Sequence, residues 1–403
     1  MTTHERVLLV FFIAVLALTP LAAQQAEKVE DEPGKAPVTN NEKAVNKPKL
    51  ELYGYIKLDG SYDDSTIEAG NFARWVASPS TIESHDHFNM TARQTRLGMR
   101  INRERDGNMI VKGRVEIDFY GGGSENKNQP MLRHGYAEIE WPDKGLNLKA
   151  GQTSDLISPL VPTTINYPVA WWAGNIDYRR PQIRLTKTVK TGEASSIALA
   201  AAISRSIGDD FGRLEPGDSG ADSGVPTIQL AISRRFSLAG RPAGVGISGH
   251  LGKEELRERL GDPVPEFDSW SLGLDYSLPL SSKVTLKGEV WTGQDLDDYL
   301  GGIGQGINRV AGEEIEASGG WLSIESKLNS KAFVGFGASI DDPADDSLLP
   351  GSRSKNSSVW ANYLYNVRSY LRTGIEVSHW ATDYLEREND SALRVQGTLI
   401  YSF

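Results

Sequence analysis

Cysteine is absent from all 403 residues. The chain has none of the disulfide staples on which small exported domains depend, so an exported protein of this size needs a large cooperative fold. Long apolar runs are almost as scarce. One of them, Val7 to Leu18, follows Arg6 and ends in Leu21, Ala22 and Ala23 before Gln24. That order of charged, apolar and small residues is a secretory signal peptide, residues 1–23, with cleavage expected after Ala23. No later stretch approaches the roughly 18 apolar residues of a spanning helix, which leaves either a soluble protein or a β-barrel. A surplus of basic residues is missing too: 43 Lys and Arg against 53 Asp and Glu give a formal charge of -10. Such a balance speaks against a nucleic-acid partner, whose phosphates favour basic surfaces. No glycine-rich phosphate loop follows a strand and opens a helix, so nucleotide chemistry has no support and no cofactor is expected.

What is present is alternation. Residues 24–49, rich in Glu, Lys and Asn with Pro33, Pro37 and Pro48, cannot bury enough surface to order themselves and read as a flexible periplasmic extension. From residue 50 onward short runs of period two take over. In Leu52 to Asp59, Leu52, Gly54, Ile56 and Leu58 share one face and Tyr53, Tyr55, Lys57 and Asp59 the other. In Thr95 to Ile101, Leu97 and Met99 oppose Arg96 and Arg100. In Val111 to Phe119, Val111, Val115 and Ile117 oppose Lys112, Arg114, Glu116 and Asp118. A strand with an apolar face and a charged face separates lipid from water. Thirteen further candidates, among them Gly135 to Trp141, Leu146 to Ala150, Ile183 to Leu185, Trp270 to Leu278 and Leu393 to Phe403, bring the expected total to sixteen. The even number suits a single-chain bacterial barrel, and low overall hydropathy suits one whose strands show lipid only every second residue.

The expected fold is therefore all-β: a transmembrane antiparallel β-barrel over residues 50–403, in the outer membrane of a Gram-negative cell, in contact with the bilayer and lipopolysaccharide. Long polar connections such as Asp59 to Gln94, Ser204 to Thr227 and Gly293 to Gly319 read as extracellular loops, and short ones such as Asn329 to Lys331 as periplasmic turns. Leu393, Val395, Leu399, Tyr401 and the terminal Phe403 share one face, which looks like the final strand that outer-membrane proteins present to the barrel assembly machinery.

Between Gly151 and Arg180 the pattern breaks. Pro159, Pro162 and Pro168, the pair Trp171 and Trp172, and Tyr178, Arg179 and Arg180 make a stretch too proline-rich for a strand and too apolar for an exposed loop. It is expected inside the barrel, narrowing the lumen, with Asp155, Trp171 and Trp172 as anchors. At these residues the sequence resembles the DcaP-like trimeric porins. The resemblance is carried by Tyr53 to Asp59, Thr95 to Gly98, Gly113 to Phe119, Ala150 to Asp155, Ile157 to Pro162, Trp171 to Asn175 and Arg179 to Arg184. It implies a sixteen-stranded barrel, a homotrimer with an inward-folded third loop, and passage of small anionic solutes, dicarboxylates among them. Some members carry an N-terminal coiled coil, from which the proline-bearing tail here departs.

Charge patterning agrees with an anion preference. Arg96, Arg100, Lys112, Arg114 and Arg184 fall on inward faces and Arg179 and Arg180 leave the inward loop, so clustered cations are expected at the constriction. Glu116, Asp118, Glu138 and Glu140 point inward as well, and part of the basic set could simply be paired. Trp141, Trp270, Tyr276, Tyr363 and Tyr401 sit near strand ends, as interfacial girdles do. The mature chain has five histidines, of which His85 and His87 flank Asp86; without a third ligand the pair is a weak metal candidate, and none is expected. No Ser, His and Asp group assembles from local spacing, so an enzyme is not expected. The alternatives are a barrel enzyme or adhesin acting through its long loops, and a soluble secreted β-protein.

Overall fold

The computed structural model describes residues 48–403 except 104, 124–125, 209–218 and 256–264. The expected signal peptide, and all of the expected extension but its last residues, lie outside the described residues. The strands follow one another as β1 (Lys49–Asp63), β2 in two pieces (His87–Thr91 and Arg96–Asn102), β3 (Ile110–Asp118), β4 (Met131–Trp141), β5 (Leu146–Ser154), β6 (Arg179–Gly192), β7 (Ser195–Ser204) and β8 (Thr227–Leu238). The second half comprises β9 (Arg241–Glu255), β10 (Glu266–Pro279), β11 (Val284–Gln294), β12 (Glu316–Lys327), β13 (Ala332–Pro343), β14 (Arg353–Arg368), β15 (Leu371–Tyr384) and β16 (Asp390–Ser402). Both pieces of β2 pair with β1, so the barrel has sixteen staves. Each staff pairs antiparallel with the next, and β1 closes the sheet on β16 from Tyr55↔Ser402 to Asp63↔Arg394. Closure leaves no edge strand in the barrel, the condition a β-structure must meet to cross a membrane.

The two faces differ as the alternation requires. Ile183, Leu199, Leu230, Ile247, Leu272, Val290, Phe336, Val359, Ile375 and Leu399 are all exposed on the outside, while Gln229, Ser248, His250, Glu289, Asn356, Glu376, Arg394 and Gln396 are buried on the inside. In water so broad an apolar belt would aggregate; against lipid it is the solvated face. Inside, the seam between β1 and β16 is held by Arg394, which donates to both Asp63 oxygens at 3.0 and 2.9 Å and to Ser61 Oγ at 2.8 Å. The terminal residue completes it, with Gly54 N–H donating to Phe403 O and Phe403 N–H to Gly54 O. No helix of the described residues is long and apolar enough to cross a membrane.

Two expectations need correcting. The strand expected over Ile183 to Leu185 runs from Arg179 to Gly192; its ends are polar on both faces, so only its centre shows alternation. The stretches 59–94 and 293–319, expected as extracellular loops, contribute long inward segments, residues 64–86 and 295–315. They carry the buried groups Ile67, Ala73 and Val76, and Leu296, Tyr299 and Ile303.

Candidate functional site

The constriction is built by residues 155–178, the loop between β5 and β6, and its conformation follows from its sequence. Three prolines remove amide donors and bar helix or strand. The backbone turns at four non-glycine residues in the left-handed region, Ser158, Val169, Ala170 and Trp172 (φ 43°, 50°, 67° and 61°). Such geometry costs on the order of 1–3 kcal/mol per residue and persists only where surroundings impose it. Here they do. Leu156 N–H donates to Gln229 Oε1 at 2.7 Å, Ser158 N–H to Ser248 Oγ at 3.2 Å and Leu160 N–H to Glu289 Oε1 at 2.7 Å. Thr163 Oγ1 donates to Glu325 at 2.8 Å, and Asn362 Nδ2 to Thr163 O at 2.7 Å. Glu376 accepts from the amides of both Ile165 and Asn166, at 2.7 and 3.2 Å, and Lys57 Nζ donates to Ile165 O. The loop thus runs along the inside of β8 to β15, each step tied to a polar side chain of a different staff, and reaches β1.

Its return leg meets the two other inward segments. Asn166 Oδ1 accepts from Ala73 N–H at 3.0 Å, Trp172 N–H donates to Leu300 O at 2.7 Å and Asp177 N–H to Tyr299 O at 3.1 Å. Gly174 passes so close to the wall that a Cβ there would strike the carbonyls of Gly320 and Ile340, while Trp291 Nε1 donates to Gly174 O at 2.7 Å. Aromatic rings from several segments meet in this region: Tyr120 stacks on Tyr167 at 3.8 Å, and Phe72 lies parallel to Trp172 at 6.4 Å.

The neck of the loop is a buried post. Arg180 Nε donates to Asp155 Oδ2 at 3.0 Å, with both side chains almost wholly buried, and Gln229 Nε2 donates to the other Asp155 oxygen at 2.7 Å. The Arg180 guanidinium lies 3.9 Å from the Tyr299 ring centre and reaches Asp298 O. Arg180 therefore faces packed protein rather than the lumen. Burial raises the Asp155 carboxyl above its ordinary range, with Arg180 opposing. Asp177 is pushed well above that range by burial and then by the Asp155 charge. A carboxyl so placed stays protonated at pH values that ionise a free one.

The loop leaves uncovered most of the wall formed by β2 to β6, and there the remaining expected cations gather, apart from Arg179, which is buried against the loop. Glu116 is approached by three guanidinium groups, Arg114, Arg133 at 3.1 Å and Arg96 at 3.5 Å, and by Tyr53 Oη at 2.8 Å. Arg133 also bonds Asp118 at 2.7 Å. Farther along, Lys112 pairs with Glu140 at 2.7 Å and Lys149 with Glu138 at 3.8 Å. Arg184 donates to Gln182 and Ser154 O. Arg179 lies 5.5 Å from the Trp171 and Tyr178 ring centres. Neither Arg179 nor Arg184 is paired to a carboxylate among the described residues. The wall thus carries Arg96, Arg114, Arg133, Lys112, Lys149, Arg179 and Arg184 against Glu116, Asp118, Glu138 and Glu140, seven cations to four carboxylates. Arg100 stands apart near the short-turn end, exposed and paired with Glu51 at 3.0 Å.

Arg133 and Lys149 were not among the residues singled out by sequence. A bulge between Glu116 and Ile117 shifts the register so that Arg133 and His134 both turn inward, which strict alternation forbids. Of the expected loop anchors, Asp155 and Trp171 are buried and Trp172 half-buried. His85 and His87 pack ring to ring at 4.2 Å, with no third metal-ligating side chain grouped with them among the described residues.

The sequence matches no protein-family model and no curated protein. The fold does have solved counterparts. The outer-membrane channel DcaP of Acinetobacter baumannii superposes with a TM-score of 0.70 at 19% identity, covering 89% of this chain and 98% of that one. An anion-selective porin from Comamonas acidovorans follows at 0.55 and 12% identity, with 89% and 100% covered. The trimer form of OmpT, an outer-membrane protein of Vibrio cholerae, gives 0.54 at 7% identity, again with 89% and 100% covered. In architecture this chain is a closed sixteen-stranded antiparallel β-barrel that shares its fold with the outer-membrane channel DcaP.

Proposed function

We propose that the protein is a porin, a water-filled channel for passive diffusion of small hydrophilic solutes with a preference for anions, dicarboxylates foremost. The observation that carries this reading is the excess of positive charge on the β2 to β6 wall, where the half-buried Arg184 and the buried Arg179 have no carboxylate partner among the described residues. In a narrow passage with low-dielectric sides such an excess concentrates anions, and guanidinium groups bind carboxylates in bidentate geometry. Arg96 and Arg114 contribute to the field although each is paired, because with Arg133 they share the single charge of Glu116, whereas Lys112 is matched by Glu140. Arg180 has a different role, as the post on which the loop turns. The fold shared with an outer-membrane channel and with an anion-selective porin supports the same reading. The trimer form of a third structural neighbour supports assembly as a homotrimer, which crosslinking in native membranes tests directly.

The deciding experiment is the reversal potential of the purified protein in a planar bilayer under a salt gradient, before and after Arg179→Gln and Arg184→Gln. Anion preference that falls on substitution is the expected result. Cation preference in the wild type would sink the proposal, and absence of conductance would turn attention to an enzyme or adhesin acting through the long loops.

A further inference from the structure

Apart from the basic wall, the molecule gathers a group of acids where the 295–315 segment leaves the barrel. Glu254 near the end of β9, Asp295 directly after β11, and Asp297 each offer a carboxylate oxygen, and the three oxygens lie within 4.8 Å of one another. Acidic clusters on loops are common, but the middle member of this one is buried. Asp295 is 1% exposed, and among the described residues neither of its carboxylate oxygens has a hydrogen-bond donor. A carboxylate removed from water with both oxygens bare costs several kcal/mol unless a cation or a proton compensates it. The backbone closes over the group as well. A Cβ at Gly306 would collide with Asp297 Oδ1 and Asp295 Oδ1, so the chain passes the carboxylates at a distance that only glycine permits. Asp295 itself has φ 52°, which turns the chain sharply at the mouth of the group. Burial and the neighbouring Glu254, Asp297 and Asp298 charges hold its carboxyl well above the ordinary range in the absence of a cation.

We propose that Glu254, Asp295 and Asp297 form a binding site for a divalent cation, calcium by preference. The donors are all carboxylate oxygens, the set a hard cation takes. Calcium is commonly held by several protein carboxylates in flexible geometry, whereas magnesium keeps most of its waters and is held through one or two. The site lies at the root of the turn that supports the constriction. Three successive carbonyls beyond it, on Asp298, Tyr299 and Leu300, accept from Arg180, Asp177 and Trp172. An ion that fixes Asp295 and Asp297 therefore fixes the partner on which the return leg of the constriction loop rests.

The test is calorimetric titration of calcium chloride into the full-length mature protein, refolded in detergent free of lipopolysaccharide and stripped with chelator. One calcium per chain is expected, with magnesium at least tenfold weaker. Asp295→Asn should weaken calcium binding at least tenfold while the heat-modifiable gel mobility of the folded barrel is retained. If that variant does not fold, Asp297→Asn is read in its place. The melting temperature of the wild type should also rise with calcium over chelator. No binding by the folded wild type, binding unchanged in a folded variant, or a melting temperature indifferent to calcium would each overturn the site.

Discussion

The two halves of the barrel wall carry polar residues for different ends. From β2 to β5 the staves are short, the Arg96–Asn102 piece of β2 having 7 residues and β3 to β5 having 9, 11 and 9; β9, β10, β14 and β15 have 15, 14, 16 and 14. On the short side, Arg96, Lys112, Arg114, Arg133 and Lys149 oppose carboxylates within the same wall and remain in part accessible. On the opposite side, from β8 to β15, Gln229, Glu289, Glu325, Asn362 and Glu376 are buried and spend their hydrogen-bonding capacity on the constriction loop. A charged side chain on an inner face is thus not by itself a sign of contact with solute. Its partner decides, whether a neighbouring cation on the wall or a peptide N–H of the loop.

Arg180 sharpens the contrast because its sequence position suggests the first group and its surroundings put it in the second. Replacing it with Met strands the buried Asp155 charge, and denaturant unfolding should show a loss of about 3–5 kcal/mol. The double variant with Asp155→Leu should recover much of that loss. Next in size is Glu376→Ala, which bares the Ile165 and Asn166 amides at about 1–3 kcal/mol each. Its distinctive readout is a larger single-channel conductance as the loop tip comes free; unchanged conductance would mean the tip is held without Glu376. Gly174→Ala forces a methyl group against two carbonyls at φ 121° and should cost about 1–3 kcal/mol in thermal unfolding. Ala170→Gly, at φ 67°, should change stability by less than about 1 kcal/mol, since relief of left-handed strain offsets added chain entropy.

Titration of Asp177 gives a gentler test. Its carboxyl is raised in the folded state, so its contribution to stability is full below the unfolded pKa of about 3.9 and is lost as pH rises through the folded value. Over the same rise the new negative charge beside Arg179 should lower anion preference, measured as a shift in reversal potential. Asp177→Asn should abolish that shift. Smallest of all, Arg100→Gln breaks an exposed pair with Glu51 and should change stability by only a few tenths of a kcal/mol, with selectivity unmoved.

The staves were legible in sequence because each must present lipid and water on alternate residues, and that requirement is local. Leu52, Ile56 and Leu58 against Tyr55, Lys57 and Asp59 show it within eight positions. The inward course of residues 155–178 was legible from proline and tryptophan content alone. What holds the loop was not. Glu289 and Glu376 look like any inward acid until the amides of Leu160 and Ile165 meet them, 129 and 211 residues away in the chain. The inward folding of 64–86 was hidden for the same reason, its Ala73 and Val76 amides being satisfied by Asn166 and Thr382 rather than by water. Arg133 escaped because a bulge leaves no mark on alternation.

The attachment of Ile165 and Asn166 to Glu376 also orders events in time. The loop emerges from synthesis after β5, whereas its last tethers, Glu376 and Gln396, belong to the fifteenth and sixteenth staves, so its anchorage cannot be complete until nearly the whole chain has been made. Closing the wall and finishing the anchorage of the loop therefore draw on the same last two staves, so damage to either strand reaches both the seam and the passage.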